Sequence, residues 1–350
     1  MSLVERVRPV PAASPAAGRS RCPGGFVHGL LVFALLAPAP GATLFGQEIG
    51  DETGAGEGAL FLLLPVGAHG VGLGRAMTAL ESEEAAFWNP AGLARQRSRR
   101  VMVYRGNQIA GDATAVNVLL PWNRVGTFGF SYLLLDIGDQ VLRNDFGDRL
   151  GRISVRNHAG ILSYATSFPG RVHAGINMKL VQFRIACRGQ CPDFATTSSA
   201  YAIDVGIQAE PFRRIPLRFG WMIAHAGTEF QVFNEAQSDP LPTRIRFAVA
   251  YDLLRRLESE DLALWATLET EDRARDPGSP SLYAGLNLSA AELFYVRAGY
   301  VGGKLDQTNG AAVGLGIRID RFDLNLAKSL TRSAVTGASE PLHATFGVTF

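Results

Sequence analysis

Beyond residue 40 the chain lacks any apolar run long enough to cross a bilayer as a helix, which needs about 20 residues; a polytopic helical membrane protein is thereby excluded. An excess of either charge is also missing, with 34 Lys and Arg against 32 Asp and Glu. Polyanions are recruited by basic surfaces, so nucleic acid is not an expected partner. Catalytic signatures are absent: there is no G-x-S-x-G, H-E-x-x-H or paired C-x-x-C, and His69, His158, His173, His225 and His343 are scattered. The expectation is a non-enzyme without cofactor or metal. Cysteine is scarce, with three residues in 350.

One apolar run stands near the start, Phe26 to Ala37. It is short for a membrane span, follows Arg6, Arg8, Arg19 and Arg21, and precedes the small residues Pro38, Ala39, Gly41 and Ala42. That is the layout of a secretory signal peptide; a signal anchor or buried helix is the competing reading. Residues 1–46 are expected to be the signal and a preceding tail, with cleavage between Ala39 and Gly46. Export would remove Cys22 and leave Cys187 and Cys191 as a close pair in a polar connection. In an oxidising compartment such a pair closes a small disulfide loop. Half of a metal site is the alternative, but no second cysteine pair or histidine cluster follows nearby.

From about Arg99 onward apolar residues recur at every second position, the period of a strand with one apolar and one polar face. In Arg244 to Asp252, Ile245, Phe247, Val249 and Tyr251 oppose Arg244, Arg246, Ala248, Ala250 and Asp252. The pattern predicts about fourteen strands, near 99–107, 112–122, 126–137, 155–168, 171–186, 195–211, 217–227, 242–254, 261–271, 281–291, 293–303, 310–320, 321–330 and 341–350. An even number suits a single-chain outer-membrane barrel. Phase shifts after Leu180, which a bulge or a strand continuing past the membrane would explain. Tight turns at Pro169-Gly170, Glu292 and Asp320-Arg321 alternate with longer polar connections at 138–154, 187–195, 228–241 and 304–309. Trp122, Tyr132, Trp221, Phe294 and Tyr300 could form interfacial girdles or merely pack. A soluble β-sandwich also alternates, but polar faces rich in Gly, Ala, Ser and Asn, with Arg246, Arg297, Arg318, Asp204, Asp252 and Asp323 interleaved, suit a crowded lumen better. The fold class expected is therefore an all-β transmembrane antiparallel barrel over residues 99–350.

Residues 54–98 do not alternate. Gly70-Val-Gly72-Leu-Gly74-Arg75 suggests a nucleotide loop but has arginine where the third glycine belongs and no following βαβ unit. Ala76 to Trp88 reads as a short helix, ended by Asn89-Pro90 because the residue before proline is driven from the helical region. The run LLPVGAHGVGLGRAMTALESEEAAFWNPAGLA resembles the N-terminal signature of the PorV/PorQ family, within the wider FadL-like group of outer-membrane barrels. Asn89, Pro90, Ala91, Gly92 and Leu93 match its motif, whereas Arg75 and Glu81-Ser82-Glu83-Glu84 depart from it.

The resemblance implies a fourteen-stranded barrel whose N-terminal segment, residues 47–98, is a plug containing a short helix. It implies two functions: passage of small, including hydrophobic, molecules across the outer membrane, or a PorV-like part in type IX protein secretion that binds and hands on exported proteins. The residues singled out for plug or ligand contact are Phe61, Leu63, Phe87, Trp88, Asn89 and Pro90. Asn89 stands either as a gating or ligand contact or as a structural turn. The final strand, with Phe346, Val348 and Phe350 on its apolar face, looks like the signal by which such proteins are recognised for assembly. Expected partners are outer-membrane lipid, the barrel-assembly machinery, and either a small-molecule solute or exported proteins, in the outer membrane of a Gram-negative-type bacterium.

Overall fold

The computed structural model describes residues 56–108, 111–190, 196–231, 238–255, 261–303, 309–330 and 342–350. The expected signal peptide, residues 47–55 and Cys191 lie outside the described residues. The strands are β1 (Arg100–Gln108), β2 (Gly111–Trp122), β3 (Gly126–Arg143), β4 (Arg149–Phe168), β5 (Val172–Gly189), β6 (Thr196–Ala209), β7 (Leu217–Gly227), β8 (Phe230–Gln231), β9 (Ser238–Asp239), β10 (Arg244–Asp252), β11 (Leu262–Arg273), β12 (Ser281–Ala290), β13 (Phe294–Gly303), β14 (Gly310–Ile319), β15 (Phe322–Ser329) and β16 (Leu342–Thr349). β8 and β9 pair only with each other; the other fourteen close into one antiparallel barrel. Each barrel strand pairs with its neighbours in the chain, and β16 returns to β1 in the register Arg100↔Thr349, Val103↔Phe346 and Gly106↔His343. Closure leaves no unpaired edge, the condition for strands to cross a membrane.

Alternation sorts the side chains. Phe130, Leu162, Met178, Ile203, Phe247, Leu268, Leu315 and Phe346 are exposed on the outside, while Asn117, Asn177, Asp204, Arg246, Glu269, Arg297, Asn325 and Thr345 are buried inside. Apolar outside and polar inside is the reverse of a soluble domain and the signature of a transmembrane barrel. Tight turns join β4 to β5, β12 to β13 and β14 to β15 on one rim. The connections between β5 and β6, β7 and β10, and β13 and β14 lie on the other, which such barrels turn to the cell exterior.

Two expected features differ in the structure. The 138–154 connection is mostly strand: β3 runs to Arg143 and β4 starts at Arg149, with a register shift between Asp136 and Gly138. Likewise the phase change after Leu180 is no bulge, since β4 and β5 pair without interruption from Phe168↔Val172 to Gly151↔Gly189. The strand continues past the end of the apolar outer band, where its outer face carries Arg184 and Arg188 and its inner face turns apolar with Val181 and Phe183.

The second difference concerns residues 56–98, which fill the lumen. No α-helix forms over Ala76 to Trp88. The helix is a single turn, α1 (Ala68–Gly72), with 3-10 turns at Leu60–Leu63, Ala85–Phe87 and Pro90–Arg95. A helix would satisfy its own backbone groups; here the wall satisfies them instead. The Thr78 N–H donates to Glu269 Oε2 at 2.8 Å, and the carbonyls of Leu80, Glu83 and Ala86 accept from Gln208, Asn117 and Asn177 at 2.9, 2.6 and 2.9 Å.

Candidate functional site

The lumen is layered. Toward the long-loop rim, Phe61 and Val66 of the inner segment pack with Met102, Leu133, Leu135, Val181, Ala200, Phe230 and Leu241. Leu62, Leu64 and Phe87 lie against this cluster, but Leu63 is only half-buried and does not join it. Phe87 also touches a second cluster, formed by Leu73, Met77, Leu80, Trp88, Ala248 and Ala250. Phe87 thus links the cluster that holds Phe61 to the one that holds Trp88. Trp88 is fixed by donation from Nε1 to the Val66 carbonyl at 3.0 Å and by the Arg246 guanidinium 5.6 Å from its ring centre.

At mid-height the lining is charged. The Glu84 carboxylate accepts from the backbone N–H groups of His69 and Gly70 at 3.1 and 3.0 Å, and from the Thr345 hydroxyl at 3.0 Å. It thereby caps the single turn of α1. Burial and the charge of Glu83 nonetheless push its carboxyl up to about 7. Burial and the nearby Arg297 guanidinium depress His69 to about 3, so its ring is neutral. Glu83 pairs with Arg100 at 3.1 Å. Further round the wall, Lys179 and Asp204 form a fully enclosed pair at 2.6 Å, and Asp204 also accepts from Asn177 at 2.7 Å.

Asn89, fully buried, is consumed by structure. Its Nδ2 donates to the Thr78 carbonyl at 2.8 Å and its Oδ1 accepts from the Ala91 N–H at 3.0 Å, capping the Pro90–Arg95 turn. Proline at the first position of that turn lacks a donor that would have gone unused. The wall makes room with Gly206 and Gly175: a Cβ at the former would collide with the Asn89 amide, and at the latter with the Pro90 backbone. Of the two readings of Asn89, this geometry supports the structural one.

Both ends of the inner segment are held ionically. Arg244 grips Glu57 through two hydrogen bonds of 2.7 and 2.6 Å near the long-loop rim. At the short-turn rim, Arg95 and Arg171 pair with the buried Glu210, which also meets Arg218 at 2.8 Å. Sequence reasoning missed these wall partners, Asn117, Asn177, Gln208, Glu210 and Glu269 among them. Their one signal was polarity on the inward face.

Cys187 is disulfide-bonded and lies at the long-loop end of β5. Phe346 and Phe350 are exposed at the β16 end, and Val348 pairs with Val101.

No protein-family model matches the chain, and no curated protein matches it. Solved structures do. The toluene transporter TbuX of Ralstonia pickettii is similar at a TM-score of 0.55 and 10% identity, covering 81% of this chain and 97% of that one. The monoaromatic hydrocarbon channel CymD gives 0.55 and 10%, covering 82% and 98%. A FadL homologue of Pseudomonas aeruginosa gives 0.52 and 10%, covering 82% and 98%. Together with the outward apolar band and the filled lumen, these likenesses define the class as a transmembrane barrel of fourteen strands. At such identity the shared property is the architecture.

Proposed function

We propose that this protein is an outer-membrane channel for small hydrophobic molecules, with residues 47–98 as its plug. The observation that carries the reading is the apolar cluster around Phe61, Met102, Leu135, Val181 and Phe230 at the long-loop end of the lumen, above a charged layer at mid-height. A hydrophobic route needs such a foothold, and it lies where a solute would enter. The solved structures of like fold include transporters of toluene and channels for monoaromatic hydrocarbons, which supports the same solute class. Lipid surrounds the barrel on this reading, the assembly machinery inserts it through the Phe346, Val348 and Phe350 strand, and Cys187 pairs with Cys191.

The test is uptake of radiolabelled toluene into cells lacking other hydrocarbon channels. Expression should speed uptake, and Val181→Asp, which charges the apolar cluster, should abolish most of the gain while the barrel still assembles. Equal uptake with the aspartate variant would sink the proposal. A second reading, a PorV-like component of type IX secretion, rests on the match of Asn89 to Leu93 to the family motif. Recovery of exported proteins on the purified barrel, without any hydrocarbon uptake, would favour it.

A further inference from the structure

On the outside of the barrel the apolar band gives way abruptly to arginine at the β3, β4 and β5 extension. Below the boundary the outer face shows Phe130, Leu162, Met178 and Leu180, all exposed. The boundary itself is marked by Tyr132, whose hydroxyl bonds His158 Nδ1 at 2.7 Å. Above it the same face carries Arg152 and Arg156 on β4, and Arg184 and Arg188 on β5.

Register makes this arrangement unfavourable by itself. Arg156 stands directly opposite Arg184, and four residues further on Arg152 stands directly opposite Arg188. Like charges at directly opposed positions destabilise a sheet. The β3 side compensates only the β4 arginines: Asp136 pairs with Arg156 at 3.0 Å and Asp139 with Arg152 at 3.0 Å. Arg184, Arg188 and the adjacent Arg149 have no ion pair among the described residues. All five arginines line one shallow depression of about 510 Å³, with Asp139 its single acid.

We propose that this depression binds the phosphate groups of a phosphorylated glycolipid of the outer leaflet, its acyl chains descending over Leu162 and Leu180. Guanidinium forks match phosphate oxygens two at a time, and an anion between Arg184 and Arg156 or between Arg188 and Arg152 removes the repulsion. The patch faces away from the lumen and is continuous with the lipid-facing band, which points to a lipid headgroup rather than a soluble anion. The site is independent of the channel reading.

Purified full-length barrel in detergent is titrated with bis-phosphorylated lipid A, with its dephosphorylated form, and with inorganic phosphate as competitor. Binding of the phosphorylated lipid alone is expected, undisplaced by millimolar phosphate. Arg184→Ser with Arg188→Ser should weaken it at least about tenfold, as loss of charge-assisted contacts implies, with heat-modifiable gel migration unchanged. Arg184→Lys with Arg188→Lys, which keeps charge and packing, should lose less and serves where the serine variant fails to assemble. Equal binding by the assembled serine variant, equal binding of the dephosphorylated lipid, or displacement by millimolar phosphate would each overturn the proposal, the last by making the site one for a free anion. Where only the lysine variant assembles, equal binding of the phosphorylated and dephosphorylated lipids refutes the proposal.

Discussion

Replacing Asn89 by alanine should loosen the inner segment without touching the barrel. The side chain is fully buried and makes two good hydrogen bonds, to the Thr78 carbonyl at 2.8 Å and from the Ala91 N–H at 3.0 Å. Loss of a cap costs about 1 kcal/mol, with a range of roughly 0.5 to 2. Loss of the second bond costs about 1 kcal/mol more. The Thr78 carbonyl keeps Gln208 as a donor at 3.0 Å, so it is not orphaned, whereas the Ala91 N–H is. The total is about 2 to 3 kcal/mol, a rise of roughly 30- to 140-fold in the undocked population. Hydrogen exchange read by mass spectrometry should show that loss of protection over residues 76–95, with the β-strands unchanged. Asn89→Ser keeps a capping oxygen and loses only the Thr78 bond, so about 1 kcal/mol and about fivefold are expected. Unchanged protection in the alanine variant, or parallel loss in the strands, would refute the assignment of Asn89 to docking of the segment.

Three further outcomes follow from the same geometry. Gly206→Val places a side chain where the Asn89 amide sits and should expose residues 85–95 to protease in a barrel that still migrates as folded; full protection would contradict the close approach. Glu84 is raised to about 7 in the folded protein, so its contribution is full below the unfolded value near 4.5 and declines as pH rises toward 7, by about 3 kcal/mol at most. Exchange protection at α1, corrected for the intrinsic rate, should fall across that window and Glu84→Gln should flatten the trend; a slope unchanged by the substitution would remove Glu84 as its source. Val348→Asp puts a charge on the closing strand opposite Val101 and should impair assembly, seen as loss of the heat-modifiable band, and an unaffected band would argue against the role given to that strand.

The barrel was legible because lipid outside and polar packing inside impose a strict period of two, as in Arg244 to Asp252. Where that contrast ends, legibility ends with it. Arg149 to Ser154 read as a loop because water bathes the outer face there, so no apolar residue is required to mark the strand. The alternation of β5 inverts after Leu180 for the same reason. Ala76 to Trp88 misled in the opposite way. Its alanines and glutamates favour a helix in isolation, but Asn117, Asn177, Gln208 and Glu269 offer its backbone better-placed partners from strands distant in sequence. Phe61, Phe87, Trp88 and Asn89 were singled out by apolarity and by the motif, while the wall side chains that hold them looked like any lumen residue.

Those wall contacts bear on how a solute could pass. They radiate from the inner segment to β2, β5, β6, β11 and β16, strands spread around the whole circumference. A hub held by separate spokes can lose one and remain centred. On the proposed channel reading, a gap along a single sector of the wall would suffice while the rest stays sealed, and the segment would not have to leave the lumen.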